Sequence, residues 1–490
     1  MPKYDYDLII IGGGVSGYTA ATFAAGLGKR VLVVEKETSS REAALRMGLP
    51  AKTLTRAAAA ADTILSATKY GLSYPRSEIN VDGVLPAVRA AIDGITIFNR
   101  SDSLRRLGIA YRNGSAAFLD RHRISIEDSV ISASKFIIAT GSRPAKHPNL
   151  KSADAPYLTS ETFFHLEKLP KSIIIVGGGP TGIELAVALR LLNLEVTIVE
   201  ASNTILGAED REMADLVATY LASRGIIIYE GHKPTTIHKV GGSSRVTIVG
   251  PNGEQDIQAE SVLLAIGREA NIEGLSLEKA GVEHDTRTIK VNKTLRTTAS
   301  NIYACGDVTG RFQLVEVAEH EGLIAANNTL LPLKQSVNLS DVVWTIFTHP
   351  PLAHVGQTEE EVKADYGFAY KVYRQDYKDI GRSQLDLNLM GRAKYIVGLN
   401  GRLLGAHIFG ADADAAAHEL QVLKSLHKPF WSLRLIKHAF PTYEEGLLKR
   451  TRDIAYLEKL AANPWFRLVL NIMPGFHNNL DAVIKELNLN

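Results

Sequence analysis

One pattern occurs twice in this chain, and it admits few folds. Asp7-Leu-Ile-Ile-Ile11 reads as a buried strand, followed by Gly12-Gly-Gly-Val-Ser-Gly17, an alanine-rich helix to about Leu27, and a second strand, Val31–Val34, that ends at Glu35. Ser172-Ile-Ile-Ile-Val176 leads in the same way into Gly177-Gly-Gly-Pro-Thr-Gly182, a helix to about Leu192, the strand Val196–Val199 and Glu200. In both copies the acid stands eighteen positions after the last glycine. That spacing suits a dinucleotide. The first glycine (Gly12, Gly177) makes the tight turn from strand to helix. The second (Gly14, Gly179) bares the backbone to a pyrophosphate, and the third (Gly17, Gly182) lets the helix close on the sheet. The helix N-terminus offers N–H groups and a positive dipole end to the phosphates. Glu35 and Glu200 are placed to accept the hydroxyls of a ribose. A lone GxGxxG is weak, but two complete copies predict an α/β chain with two Rossmann-like dinucleotide-binding domains. Glu200 also predicts NADH over NADPH, because a carboxylate repels a 2′-phosphate and no arginine follows until Arg211.

Composition removes several other classes. The 490 residues allow about three domains at roughly 100–200 residues each. A net charge of +2 gives no reason to expect nucleic acid or an anionic membrane as the main partner. The single cysteine, Cys305, excludes an internal disulfide framework, a cysteine-rich zinc site and a dithiol redox pair. Fourteen histidines carry no ligand spacing such as HExxH, so no metal site is expected. The first apolar run is short and follows Asp5 and Asp7, unlike a secretory signal. No stretch reaches the ~18 unbroken apolar residues of a spanning helix, and the expectation is a cytoplasmic protein. Ala57–Ala61 reads as a helix interior, and Gly241–Ser244 and Pro251–Gly253 read as hairpin turns.

Further motifs carry a family resemblance. Ile138-Ala-Thr-Gly-Ser-Arg-Pro144, Leu264-Ala-Ile-Gly-Arg268 with Asn271, Ile302-Tyr-Ala-Cys-Gly-Asp307, Leu314–Gly322, Trp344–Pro350 and Val355-Gly356 follow one another in order. From about Tyr6 to about Lys449 the chain resembles the flavoprotein disulfide reductases, such as dihydrolipoamide dehydrogenase, mercuric reductase and soluble transhydrogenase. One departure in these segments is Ala270, where the family usually has proline. The resemblance implies FAD in the first copy and NAD(H) in the second. It implies a discontinuous FAD domain over roughly 1–150 and 271–335, an NAD domain over 151–270, an α+β dimerisation domain over 336–455, a C-terminal helical extension over 456–490, and a homodimer. FAD-binding residues would include Gly12, Gly14, Gly17, Glu35, Lys52, Thr140, Gly141 and Asp307. Those for NAD would include Gly177, Gly179, Gly182, Glu200 and Gly267.

The departures bear most on function. The family carries two cysteines five residues apart before a Pro-x-Lys. Here the stretch is Ser40–Lys52, with Ala43 and Gly48 at the two positions. Neither can act as the thiolate nucleophile, so disulfide reduction by the usual route is excluded. In the C-terminal domain Phe440 stands where the family has its catalytic histidine, while Glu445 keeps the position of that histidine's partner. His438 shares a face with position 440 in an extended segment, and is read as a structural histidine in preference to a substitute base. Two other positions are kept. Lys52 matches the family's lysine near flavin N5, and Glu184 the glutamate that pairs with it. A cation there stabilises the reduced flavin.

The expected function is transfer of electrons from NADH through FAD to a non-disulfide, small-molecule acceptor. Lost sulfur side chains leave a space that Leu45, Met47 and Phe440 would line, and a flat quinone-like acceptor suits it. Oxygen, or a second nicotinamide as in transhydrogenation, are further acceptors. The alternative from another class is a non-catalytic FAD- and NADH-binding sensor or interaction protein, which retained Lys52 and Glu184 argue against. In the tail, Pro464–Met473 is apolar, and Leu480, Val483, Ile484 and Leu487 share a face. Packing against the protein body is preferred there to a membrane foot, because few basic residues accompany the apolar surface.

Overall fold

Leu8–Ile11 are four consecutive apolar residues, all buried, because their strand has parallel neighbours on both sides. The computed structural model describes residues 4–36, 48–73, 79–94, 100–147, 150, 157–340, 342–472 and 479–489. The chain divides into two units. One comprises 1–57, 78–182 and 233–338, and the other 58–77, 183–232 and 339–490.

In the first unit the strand Tyr6–Ile11 pairs with Val31–Glu35 and with Ser129–Ile138, both in parallel. The full sheet has seven strands, in the order Ala110–Asn113, Val31–Glu35, Tyr6–Ile11, Ser129–Ile138, Arg123–Ile126, Ala116–Phe118, with Ile302–Ala304 also parallel to Ser129–Ile138. The glycine run turns the chain from the first strand into the helix Val15–Gly26. A core of Ile9, Leu32, Phe118, Phe136 and Ile302 fills one face of the sheet. The second repeat begins alike. Ser172–Val176 is parallel to Ser261–Leu264, which is parallel to Leu158–Thr159. Lys233–Val240, Ser243–Gly250 and Gly253–Ala259 form an antiparallel meander whose two turns fall at the expected glycines. A short antiparallel pair, Ser142–Pro144 with Arg268–Ala270, joins the two crossing motifs.

The helix Pro180–Leu191 carries the second repeat on into the other unit, where Glu195–Val199 is parallel to Ile227–Tyr229. The expected strand–glycine–helix–strand order is thus present twice. The rest of this unit is a five-stranded antiparallel sheet in the order Val343–Ile346, Leu352–Gly356, Leu403–Phe409, Arg392–Gly398, Tyr370–Asp376. Helices Ala413–Ser425 and Tyr443–Ala462 add Leu420, Leu447 and Leu448 to a core with Tyr377, Tyr395 and Phe430. The tail forms two helices, Pro464–Ile472 and Leu480–Leu489. Leu487 packs on that core, and Arg450 Nε donates to the Leu487 carbonyl at 2.8 Å. Among the described residues no helix is long and apolar enough to cross a membrane.

Candidate dinucleotide-binding sites

Strand register gathers the first set of predicted residues. Ile11 is level with Val34 and Ile138, and Ile138 with Ala304. Gly12, Glu35, Thr140, Gly141 and Asp307 therefore all lie at or just past the carboxyl ends of adjacent parallel strands, where α/β sheets bind ligands. A Cβ on Gly12, at φ +105°, would lie 2.3 Å from the Ala139 carbonyl oxygen, and one on Gly17 would lie 1.9 Å from that of Gly12. A Cβ on Gly14 would meet nothing within 4 Å. The first and third glycines are thus fixed by backbone packing, and the second faces open space, as a bound pyrophosphate requires. Glu35 Oε2 accepts the Gly13 N–H at 2.6 Å, so the acid reaches the glycine turn. Thr140 Oγ1 is buried with no hydrogen-bond partner among the described residues. These features fit FAD: an open cradle at a helix N-terminus, an acid at the ribose position and an orphaned hydroxyl.

A second line of contacts holds Asp307. The Ser142 hydroxyl donates to Asp307 Oδ2 at 2.7 Å, and Arg268 Nε donates to Ser142 Oγ at 2.7 Å. Arg268 also binds Glu161 at 3.0 Å. Burial raises the Asp307 carboxyl, and the Ser142 hydroxyl and Arg268 charge oppose it. Asn271 closes the crossing through bonds to the Thr140 and Gly141 carbonyls. Beside Asp307 lie Glu321, 1% exposed, and Cys305, fully buried. Burial pushes the Glu321 carboxyl up to about 7, against the Gly306 N–H and the Arg311 charge. Burial, then the Glu321 charge, raises the Cys305 thiol far above its ordinary value. Ser142, Arg268, Glu161 and Glu321 were not singled out from the sequence. Ser142 and Arg268 lie in the two crossing motifs and Glu321 in Leu314–Gly322, and membership of those motifs was the available signal.

The second glycine turn repeats the first. A Cβ on Gly177, at φ +112°, would lie 2.3 Å from the Ala265 carbonyl oxygen, one on Gly182 would lie 2.0 Å from that of Gly177, and one on Gly179 would meet nothing. The Gly267 carbonyl accepts the Ala145 N–H at 3.0 Å, tying the crossing segments together. Glu200 directly follows the strand Glu195–Val199, and its Oε1 accepts the Ser202 N–H at 2.7 Å.

The remaining predicted residues are spread over both units. Lys52 is in the first turn of the helix Leu49–Ser66 and half-buried, directly after Gly48. Ala43, Leu45, Arg46 and Met47 lie outside the described residues. Glu184 is buried, and its Oε1 accepts the Phe347 N–H at 2.8 Å, so it is not a solvated surface charge. Phe440 is 79% exposed. Glu445 lies 3.4 Å from Lys449, and its N–H donates to Thr442 Oγ1. His438 Nε2 is 3.0 Å from both oxygens of Glu419, and its Nδ1 is 3.2 Å from Arg452. Arg452 can only donate, which leaves the His438 proton on Nε2 facing Glu419. The ring is held within its own domain, the structural alternative.

Residues 6–322 match the family model described as pyridine nucleotide-disulphide oxidoreductase, and residues 342–450 match its dimerisation domain. The chain belongs to this family. It is similar to dihydrolipoyl dehydrogenase of Bacillus subtilis (strain 168), with 32% identity over 90% of this chain and 96% of that protein. It is 30% identical to mercuric reductase of Bacillus cereus over 91% of this chain and 71% of the relative. Among solved structures, the HOCl-induced flavoprotein disulfide reductase RclA from Escherichia coli superposes with a TM-score of 0.79 at 26% identity, covering 91% of this chain and 99% of that one. As a pyridine nucleotide-disulphide oxidoreductase homologue, the protein has two Rossmann-like domains and a dimerisation domain, and its family works through FAD and a pyridine nucleotide. It differs from a dithiol enzyme in possessing one cysteine, which is sealed in the core.

Proposed function

We propose that this protein is an FAD-dependent NADH oxidoreductase that delivers electrons to a non-disulfide acceptor, with a flat, quinone-like molecule favoured. The observation that carries this reading is the pairing of two complete nucleotide cradles with a single, fully buried thiol. When bound, FAD supplies two-electron acceptance from a nicotinamide and onward transfer to the acceptor. The chain supplies the rest. Gly12, Gly14 and Gly17 with Glu35 would hold the adenosine diphosphate half, and Asp307, Thr140, Gly141 and Lys52 the flavin half. Gly177, Gly179, Gly182, Gly267 and Glu200 would hold the nicotinamide cofactor, and Glu200 supports NADH over NADPH by repelling a 2′-phosphate. Lys52 and Glu184 would orient the ring and balance its charge, and Phe440 and Glu445 would border the acceptor side. A homodimer follows from the dimerisation domain.

The experiment is an anaerobic reductive titration of the holoprotein. Uptake of two electrons per FAD, without a thiolate–flavin charge-transfer band, is expected. Uptake of four electrons, or robust turnover with lipoamide or glutathione disulfide, sinks the reading. Mixing with NADH should bleach the flavin band near ~450 nm rapidly, and an unbleached flavin would return the protein to the non-catalytic binding class.

A further inference from the structure

We propose that Glu321 is a positioning residue for FAD, which pins the turn bearing Asp307 to the helix beneath it and does so as a neutral acid. The inference rests on the FAD reading above and assigns a role to a residue outside the glycine and aspartate motifs. Glu321 lies in the helix Val315–Leu330, and its Oε2 accepts the Gly306 N–H at 2.8 Å. Gly306, at φ +76°, opens the short turn Gly306–Thr309 and immediately precedes Asp307. The carboxyl therefore fixes the peptide from which Asp307 projects.

Both glycines flanking this contact clasp Ser16. A Cβ on Gly306 would lie 2.8 Å from Ser16 Oγ, and one on Gly322 would lie 2.4 Å from the Ser16 carbonyl oxygen. Ser16 belongs to the first turn of the helix Val15–Gly26, whose N-terminus faces the phosphate cradle. Three pieces of the FAD site thus meet at one point: the phosphate-binding helix, the aspartate turn and the helix carrying Glu321.

The second oxygen shows why the acid should be neutral. Oε1 is buried with no hydrogen-bond partner among the described residues, and the nearest cation, Arg311, stands 3.9 Å away. That distance is beyond a hydrogen bond. A bare carboxylate oxygen in such a place is costly, and a proton relieves it. Burial raises the carboxyl to about 7, helped by the Asp307 charge and opposed by the Gly306 N–H, Arg311 and Thr309. The elements packed around it bring few other titratable groups. Val15–Gly26 has only Tyr18, Ile302–Ala304 has Tyr303 and continues into Cys305, Ser129–Ile138 has Lys135, and Glu321's own helix has Glu316, Glu319 and His320. A bound pyrophosphate adds negative charge at the start of Val15–Gly26 and favours the uncharged acid further. FAD should accordingly bind more weakly as pH rises through about 7.

The test is equilibrium dialysis of the holoprotein, reading retained FAD between pH 6 and 8. For the unaltered chain the Kd is expected to rise by about tenfold across that range, because the free protein loses one proton with a midpoint near 7 while the FAD-bound form keeps it. Glu321→Gln keeps an acceptor for Gly306 but cannot ionise, and its Kd should stay within about twofold of the pH 6 value throughout. Glu321→Ala should lose FAD at every pH, by about tenfold or more. A Glu321→Gln variant with the original pH slope, or an unaltered chain with none, overturns the proposal. So does a Glu321→Ala variant that holds FAD as tightly as the original. Should Glu321→Ala fail to fold, the Glu321→Gln slope decides alone. An unaltered chain that takes up no FAD at any pH overturns the cofactor reading itself, and is distinct from variants that merely match it.

Discussion

A thiol attacks as its thiolate, and Cys305 is denied that form by complete burial beside Glu321. Cys305→Ala should leave the rate of flavin bleaching by NADH within about twofold and cost about 1 kcal/mol of stability, the loss expected for a small buried group. Stopped-flow reduction and urea unfolding would check both, and a collapse of the bleaching rate would reinstate sulfur chemistry. The glycines permit a sharper contrast. A methyl on Gly17 or Gly182 drives into the carbonyl oxygen of Gly12 or Gly177, at 1.9 and 2.0 Å. Gly17→Ala is expected to purify without yellow colour, while Gly182→Ala stays yellow but shows a raised KM for NADH. The reverse assignment of the two cradles would invert those results. Such glycines were legible because their spacing is local and their chemistry repeats. Glu321 lies in the motif Leu314–Gly322, but its burial was not legible, since its neighbours come from three separate segments. Likewise Ser142 and Asp307 meet across 165 residues.

At the scale of elements, the start of the helix Arg211–Ser223 is anchored by two consecutive buried acids. Glu209 accepts from the Trp344 indole at 2.8 Å and lies 2.7 Å from His354. Asp210 is fully buried and accepts from Lys394 Nζ at 2.8 Å, and Lys394 also reaches Glu359 at 2.7 Å and Glu212 at 3.2 Å. Burial opposes the Lys394 charge, but the bonds to Asp210 and Glu359 outweigh it and hold the ammonium above its usual value. Lys394→Met leaves Asp210 buried and unpaired, and should cost about 3–5 kcal/mol in urea unfolding. Adding Asp210→Leu should recover much of that loss. The same cluster sets an acid limit. Burial raises Glu212, yet Arg374 and Lys394 overcome it and bring the carboxyl to about 2. With the folded value below the unfolded one, near about 4.5, this stabilisation is complete above that pH and disappears as pH falls toward about 2. The urea midpoint should decline over that interval, and by less in Arg374→Met. An ion pair 184 residues apart in the chain leaves no local pattern in the sequence.

At the scale of the whole molecule, the dimerisation domain predicts a mass of twice 53.3 kDa by light scattering. Leu435 and Phe440, 86% and 79% exposed on one chain, belong to that domain, and a second copy would cover apolar surface of this kind. The tail was predicted to lie against the body, and Leu487 with its Arg450 contact follows that reading. Trp465 and Ile472 nevertheless remain 76% and 69% exposed. Full-length protein and a chain ending at Ala462 are expected to stay equally in the supernatant with anionic vesicles, and selective sedimentation of the longer one would instead establish a membrane foot. The doubled glycine turns and the dimerisation domain were readable from motif sequence alone, while the course of the tail depended on contacts that no motif encodes. The sealed sulfur at position 305 has a practical consequence as well. A cysteine introduced at the exposed hairpin residue Asn252 would be the sole target of a maleimide dye. One fluorophore per subunit then makes the pair a ready donor–acceptor ruler, with no native residue to remove first.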